Sequence, residues 1–79
     1  MAPTVVKVGA FRLFFFSREE TRIHVHINHT DGEAKFWLEP TIELAQNFGL
    51  TAKHLREAEE LVKTHEQRIR TSWQQHFGS

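Results

Sequence analysis

Two stretches of alternating polar and apolar residues flank the dipeptide Asp31-Gly32, and this pattern constrains the fold more than any other part of the 79-residue chain. An alternation with a period of two is typical of a β-strand that buries one face. Asp-Gly is a frequent turn between two antiparallel strands. The pattern therefore predicts a β-hairpin with strands at about 22–29 and 33–39.

The turn also predicts how the two strands pair and which residues share a face. If Asp31 and Gly32 are both loop residues, the predicted register pairs Thr30 with Glu33, Asn28 with Lys35, His26 with Trp37, His24 with Glu39, Ile27 with Phe36 and Val25 with Leu38. One face is then apolar, and the other face is polar and aromatic. A one-residue slip would mix these two sets. We expect the apolar face to pack against helices.

The residues before the hairpin predict two further strands, at about 4–8 and 11–16. The second of them, FRLFFF, is the most apolar run in the chain. A strand that is apolar on both faces is typical of a central position in a sheet. Residues 41–50 favour no regular element clearly, so we expect an extended connection there, with Ile42–Leu44 as the one place for a short strand.

The last third of the chain carries apolar residues at helical spacing, which predicts helices at about 52–63 and 65–77. Thr51 is the expected N-cap of the first helix. Thr64 and Gln67 have the spacing of a capping box, which favours two helices or one helix kinked near Thr64. We therefore predict a single α+β domain over residues 1–79: a short antiparallel sheet of three to four strands, packed on one face by one or two C-terminal helices.

Composition narrows the classes of function. Ten basic and ten acidic residues cancel, which argues against binding of nucleic acid through net charge but permits a local basic patch. The absence of cysteine excludes disulfides and thiolate zinc sites. No apolar run approaches the roughly 20 residues that span a bilayer, and no signal peptide is evident at the start, so we expect a cytoplasmic protein without membrane contact. A chain this small gains stability by burying more surface, so we expect a homodimer or a small partner protein.

Five segments spread over nearly the whole chain form a recognisable set. They are Pro3-Thr4-Val5, Phe14-Phe15-Phe16-Ser17, His24-Val25-His26, Gly32-Glu33-Ala34-Lys35-Phe36-Trp37-Leu38, and an ending with Gly49-Leu50, Trp73 and Phe77-Gly78. Together they resemble a family of short prokaryotic proteins, domain of unknown function 4160. That family usually enters the His-Val-His strand through a proline-rich turn. Residues 19–23 read Glu-Glu-Thr-Arg-Ile here, so a site shaped by that turn would differ in this chain.

The resemblance implies a genetic context and no established activity. Genes of this family tend to lie beside another very small gene, an arrangement similar to a toxin–antitoxin operon. The resemblance therefore implies a toxin or an antitoxin that acts on or near RNA.

The polar face of the hairpin supplies a candidate catalytic site. It gathers His24, His26, Asn28, Lys35, Trp37 and Glu39, with Arg12 from the neighbouring strand. The first hypothesis is metal-independent cleavage of RNA without a cofactor, which needs a general base and a general acid. His24 would be the base, oriented by Glu39, and His26 would be the acid.

The remaining residues of this face are suited to holding the substrate. Arg12 and Lys35 would bind phosphate, Trp37 would stack on a base, and Asn28 would belong to the same substrate-binding surface. The simplest alternative is a solvated face, on which His26 packs against Trp37 without any chemistry.

Two further hypotheses use the same strands differently. A non-enzymatic interaction module, an antitoxin or a regulator, would dimerise through the sheet face with Phe14 and Phe16 at the interface. Alternatively, His24 and His26 would bind a metal, as a His-x-His pair on one face does in some zinc and iron sites. Glu39 is the only near candidate for a third ligand, so no metal ligands are assigned. The sequence leaves open whether the protein is an enzyme.

The other histidines have simpler interpretations. His54, His65 and His76 are spaced 11 apart, which on one straight helix corresponds to roughly 16 Å, too far to share a metal. His65 is expected to be partly buried or to lie at the kink, and His29 is expected to be exposed beside the turn.

Overall fold

The computed structural model describes residues 4–15 and 22–77 and has the predicted α+β architecture. Its elements, in chain order, are β1 (Thr4–Val8), β2 (Phe11–Phe14), β3 (His24–His29), β4 (Gly32–Trp37), β5 (Glu43–Phe48), α1 (Ala52–Thr64) and α2 (Glu66–Phe77). The strands form one antiparallel sheet in the order β1-β2-β3-β4-β5, so each strand pairs with its neighbours in sequence. Phe16, predicted as the end of the second strand, lies outside the described residues.

The sheet has five strands, so the predicted count of three to four was wrong. The fifth strand, β5, overlaps the short strand considered at Ile42–Leu44 but extends to Phe48. Its sequence, ELAQNF, lacks β-branched residues and contains three residue types that are depleted in strands. It forms because it pairs with β4, with Glu33 opposite Phe48 and Trp37 opposite Glu43. Tertiary pairing therefore outweighs weak local propensity in this strand.

The hairpin of β3 and β4 has the predicted faces but a different register. His24 lies opposite Trp37, His26 opposite Lys35, and His29 opposite Gly32, so the predicted pairs were each wrong by two residues. The loop residues are Thr30 and Asp31, and Gly32 is the first residue of β4. Gly32 is needed there because a Cβ atom would clash with the carbonyl oxygen of Phe48 in β5.

The hydrophobic core lies between the sheet and the two helices. Its fully buried members include Leu13, Val25, Ile27, Leu38, Val62 and Ile69. These residues come from β2, β3, the end of β4 and both helices, as the apolar face of the hairpin predicts. Arg70 ties α2 to the end of β4, because its Nη2 atom donates a hydrogen bond to the carbonyl oxygen of Leu38 at 2.9 Å.

The two helices begin and end near the predicted positions. Thr51 is the N-cap of α1, and its hydroxyl accepts a hydrogen bond from the backbone N–H of His54 at 3.2 Å. The predicted capping box was wrong, because Thr64 is the last residue of α1 and His65 is its half-buried C-cap. No helix among residues 4–15 and 22–77 is long and apolar enough to cross a membrane.

Candidate functional site

Most of the predicted site residues lie on one face of the sheet. The cross-strand pairs Arg12–Asn28, Phe14–His26, His26–Lys35 and His24–Trp37 fix this arrangement. We call it the cation–aromatic face, and it comprises Arg12, Phe14, His24, His26, Asn28, Lys35 and Trp37. Three strands, β2, β3 and β4, contribute to it, and their pairing holds the side chains in a fixed order.

Trp37 contacts two positively charged side chains on this face. The guanidinium carbon of Arg22 lies 4.2 Å from the ring centroid of Trp37, and the Nζ atom of Lys35 lies 4.4 Å from it. Both distances are within the range of cation–π attraction. The Nε atom of Arg22 also donates a hydrogen bond to the carbonyl oxygen of Glu39 at 2.7 Å. Arg22 is therefore held over the ring by two different contacts.

A second contact of the same kind lies two strands away. The guanidinium carbon of Arg12 is 4.6 Å from the ring centroid of Phe14, and the ring of Phe14 stacks on that of His26 at 5.6 Å. The Nε atom of Arg12 donates a hydrogen bond to the hydroxyl of Thr4 at 2.8 Å. Phe14 is only 4% exposed. This residue, which was predicted to form an interface, packs against the side chains of Arg12 and His26.

His24, the predicted base, is fully buried with 0% of its surface exposed. Its Nδ1 atom lies 2.7 Å from the carbonyl oxygen of Arg22. Because a carbonyl oxygen can only accept a hydrogen bond, Nδ1 carries the proton. The ring also contacts Trp37 at 5.4 Å and Trp73 of α2 at 5.2 Å. His24 therefore packs between the sheet and α2, where a substrate does not reach it.

Glu39 does not join the cation–aromatic face. It follows the end of β4, and the residue opposite His24 is Trp37. The side chain of Glu39 is 52% exposed, and its Oε1 atom lies 3.9 Å from Nη1 of Arg70. The predicted orientation of His24 by the Glu39 carboxylate depended on the wrong register.

A small cavity of about 140 Å³ opens beside the cation–aromatic face. It is lined by His26, Glu33, Ala34, Lys35, Gln46 and Phe48. Pockets for drug-sized ligands usually measure about 300–1,000 Å³. The cavity is therefore suited to one side chain or one small group of a larger ligand.

A second polar cluster, not predicted from the sequence, lies at the turn between β3 and β4. Ligand atoms of His29, Asp31 and His54 lie within 4.8 Å of one another. His29 and Asp31 flank the turn between β3 and β4, and His54 lies in the first turn of α1. The rings of His29 and His54 are 4.4 Å apart, and Phe11 packs against His29 at 4.6 Å. We call these three polar residues the His-Asp-His cluster.

Part of this cluster leaves a signal in the amino-acid sequence. A histidine and an aspartate two residues apart at a tight turn are local neighbours, but His54 is brought to them by the return of the chain through β5. The expectation that His29 is exposed was wrong, because only 10% of its side-chain surface is accessible.

Comparison with known proteins identifies the family. Residues 10–74 match the family model described as Domain of unknown function (DUF4160). No curated protein and no solved structure matches the chain. The matching residues cover most of the sequence and include both the cation–aromatic face and the His-Asp-His cluster. The chain therefore belongs to the DUF4160 family.

Proposed function

We propose that this protein is a cytoplasmic RNA-binding component of a prokaryotic toxin–antitoxin pair, and that it binds RNA through the cation–aromatic face. The observation that supports the proposal is the repeated contact between cations and rings. Arg22 and Lys35 contact Trp37 at 4.2 and 4.4 Å, and Arg12 contacts Phe14 at 4.6 Å. The family's gene arrangement, as described for the resemblance, supplies the toxin–antitoxin context.

Single-stranded RNA is the nucleic acid that such a face fits best. Its unpaired bases stack on aromatic rings and on guanidinium planes, and each stacked base contributes about 1–3 kcal/mol. Trp37 is half-buried, and the exposed guanidinium of Arg22 over its ring extends the stacking surface outward, where a base would meet it. Arg12 is also half-buried, and its guanidinium group is oriented by Thr4 and Phe14 to meet a phosphate.

The neutral net charge of the chain sets the expected salt dependence. Long-range attraction to a polyanion is weak, so the affinity depends on the few cations of this face. Each phosphate contact to a single strand contributes a slope of about −0.7 in log K against log salt. Lys35 is only 8% exposed, so we expect a shallow slope of about −1.4, as for the two phosphate contacts of Arg12 and Arg22.

Binding is proposed rather than cleavage because the two histidines, His24 and His26, are largely buried. General acid–base catalysis needs groups that reach the reacting hydroxyl and the leaving oxygen. His24 is fully buried, whereas His26 is half-buried at the edge of the small cavity. His26 is thus the residue to which cleavage would be assigned if an assay detected it.

The first experiment measures the fluorescence anisotropy of a labelled single-stranded RNA of about 12 nucleotides. Trp37→Leu is expected to weaken binding roughly tenfold because it removes a stacking surface. Arg12→Gln is expected to weaken binding and to make the salt slope shallower by about 0.7. Lys53→Gln is the matched control, since Lys53 is exposed on α1. Equal affinities for all these variants would contradict the proposal.

Two further readouts separate the roles within a toxin–antitoxin pair. Gel analysis of the same RNA, with and without chelator, detects metal-independent cleavage, and loss of cleavage in His26→Ala would assign that activity to the face. Growth after induction distinguishes a toxin from an antitoxin. Arrest indicates a toxin, and rescue of arrest caused by the neighbouring small gene indicates an antitoxin.

A second candidate function, a protein-interaction module, is favoured by the exposed edge of the sheet. Among the strands that the structure describes, β5 pairs with β4 alone, and Phe48 and Leu44 of this strand are 61% and 45% exposed. Exposed edge strands can pair with a strand of another chain. Light scattering after gel filtration, alone and with the neighbouring gene product, tests this function. Phe48→Asp is expected to reduce association, and unchanged association would argue against β5 as the interface.

A further inference from the structure

The His-Asp-His cluster has the composition and spacing of a metal site. Its ligand atoms are two imidazole nitrogens and one carboxylate oxygen, all within 4.8 Å of one another. We propose that His29, Asp31 and His54 bind a divalent transition metal, with Zn²⁺ as the best fit. Zinc accepts histidine nitrogen and aspartate oxygen at about 2.0–2.2 Å, and three protein ligands with one open position are a known arrangement.

The distances within the cluster are close to those that zinc requires. Two ligands of a tetrahedral zinc with bonds of about 2.1 Å lie about 3.4 Å apart. The Oδ2 atom of Asp31 lies 3.5 Å from Nδ1 of His54 and 3.9 Å from Nδ1 of His29. Movements of less than about 1 Å would therefore bring the three atoms to coordination distances, and these are within the reach of side-chain rotation.

The Nδ1 atom of His54 supplies an independent sign of a missing partner. This nitrogen is buried, and it makes no hydrogen bond to any group in the described part of the chain. Buried polar atoms usually have a partner, so each exception needs an explanation. Coordination of a metal would satisfy this nitrogen and would use the nearby Asp31 carboxylate to balance the charge.

His29 is in a protonation state that suits a ligand. Its Nδ1 atom accepts a hydrogen bond from the backbone N–H of Asp31 at 3.1 Å. The nitrogen that accepts this bond carries a lone pair and no proton, which is the form that binds metals. A metal bound at Nδ1 would replace the backbone N–H of Asp31 as the partner of this lone pair, so the turn would shift slightly on binding.

The backbone around the cluster is fixed by close packing with β5. A Cβ atom on Gly49, which has φ of +92°, would lie 2.8 Å from the carbonyl oxygen of Asp31. Glycine at this position therefore allows the end of β5 to pack directly against the turn. Phe11 forms an apolar floor beneath the His29 ring, which limits access of water from that side.

A bound metal would join two elements of the fold, the β3–β4 hairpin and the first helix. His29 and Asp31 belong to the β3–β4 hairpin, whereas His54 belongs to α1. A protein without cysteine would gain in this way a cross-link between its sheet and its first helix. The open coordination position would be filled by water or by a donor group of a partner.

The experiment is titration of the untagged, metal-free protein with Zn²⁺ by isothermal calorimetry. One site per chain is expected, and both His54→Gln and Asp31→Asn should lower the affinity at least tenfold. His76→Gln, at the other end of the helical region, is the matched control and should leave the affinity unchanged. Lowering the pH should weaken binding in the native chain, because protons compete for the imidazole nitrogens.

Two results would overturn the proposal. One is the absence of binding at millimolar Zn²⁺, and the other is binding that survives in His54→Gln but is lost in His24→Gln/His26→Gln. If a cluster variant fails to fold, amide chemical shifts of the native chain decide instead. Zn²⁺ should shift residues near the turn and at the start of α1, and shifts confined to the cation–aromatic face would refute the assignment. The RNA-binding measurements are made with chelator, so the two proposals fail independently.

Discussion

Replacement of Gly32 by alanine is expected to separate β5 from β4 at the point where the two strands begin to pair. An added Cβ atom would clash with the carbonyl oxygen of Phe48 and would lie 2.9 Å from the carbonyl carbon of Gly49. Both neighbours are backbone atoms, which cannot rotate aside as a side chain can. The end of β5 must therefore move away, and the pairing of Glu33 with Phe48 is weakened.

The cost follows from what this movement disrupts. Loss of one or two backbone hydrogen bonds costs about 1 kcal/mol each, and overpacking costs about 1–3 kcal/mol. Alanine also lowers the conformational entropy of the unfolded chain, which offsets about 0.4–1 kcal/mol of this destabilisation. These ranges give a net loss of about 1–5 kcal/mol with a midpoint of about 3 kcal/mol, and each 1 kcal/mol lowers the Tm of a domain of this size by about 4–8 °C.

Thermal unfolding followed by circular dichroism measures this effect, and Gly9→Ala is the control. Gly9 has φ of +58°, and an added Cβ atom there would meet nothing within 4 Å. The control variant is therefore destabilised only by the left-handed backbone conformation of the alanine, which costs about 1–2 kcal/mol. If Gly32→Ala lowers Tm no more than Gly9→Ala, the close approach of β4 and β5 is refuted as the reason for Gly32.

Three other substitutions test the packing that positions the two candidate sites. Phe15→Ala should destabilise the protein by about 3–5 kcal/mol in urea unfolding, because Phe15 is 1% exposed and packs edge-on against Trp73 at 5.3 Å. Arg70→Gln should cost about 1–2 kcal/mol in the same assay, since it removes the 2.9 Å hydrogen bond to Leu38, and an unchanged midpoint would exclude this role. Thr51→Ala should cost about 1 kcal/mol by removing the N-cap of α1, whereas Thr51→Ser should restore most of it.

The faces of the hairpin could be predicted from the sequence, but its register could not. Side chains alternate with a period of two, so a shift of two residues leaves every side chain on its predicted face. Asp31-Gly32 is a standard turn pair, so the predicted register placed both residues in the loop, whereas the loop residues are Thr30 and Asp31. Gly32 lies in β4 because it packs directly against the backbone of β5, and the sequence indicated β5 only as a possible short strand at Ile42–Leu44.

The same limit applies to the predicted catalytic site. Alternation correctly assigned His24 and His26 to one face, but it gives no information about what covers that face. Trp73 of α2 packs against His24 at 5.2 Å, and this contact depends on how the helix crosses the end of the sheet. The Glu39 carboxylate was assigned to His24 through the register alone, so the error in register removed it from the site.

The contrast between His24 and His54 shows why the role of a histidine in a small sheet protein depends on distant parts of the chain. His24 was favoured because it lies on the polar face of the hairpin and was predicted to lie opposite Glu39, yet Trp73 of α2 packs against it. His54 was set aside because the other helical histidines are too far away, yet β5 returns the chain so that α1 begins beside the His29–Asp31 turn. The spacing of histidines along one helix indicates only which residues of that helix could bind the same metal. A proposed metal site such as this one combines residues of a turn and of the first turn of a helix. It can therefore be recognised only when the connection between these two elements, here β5, is known.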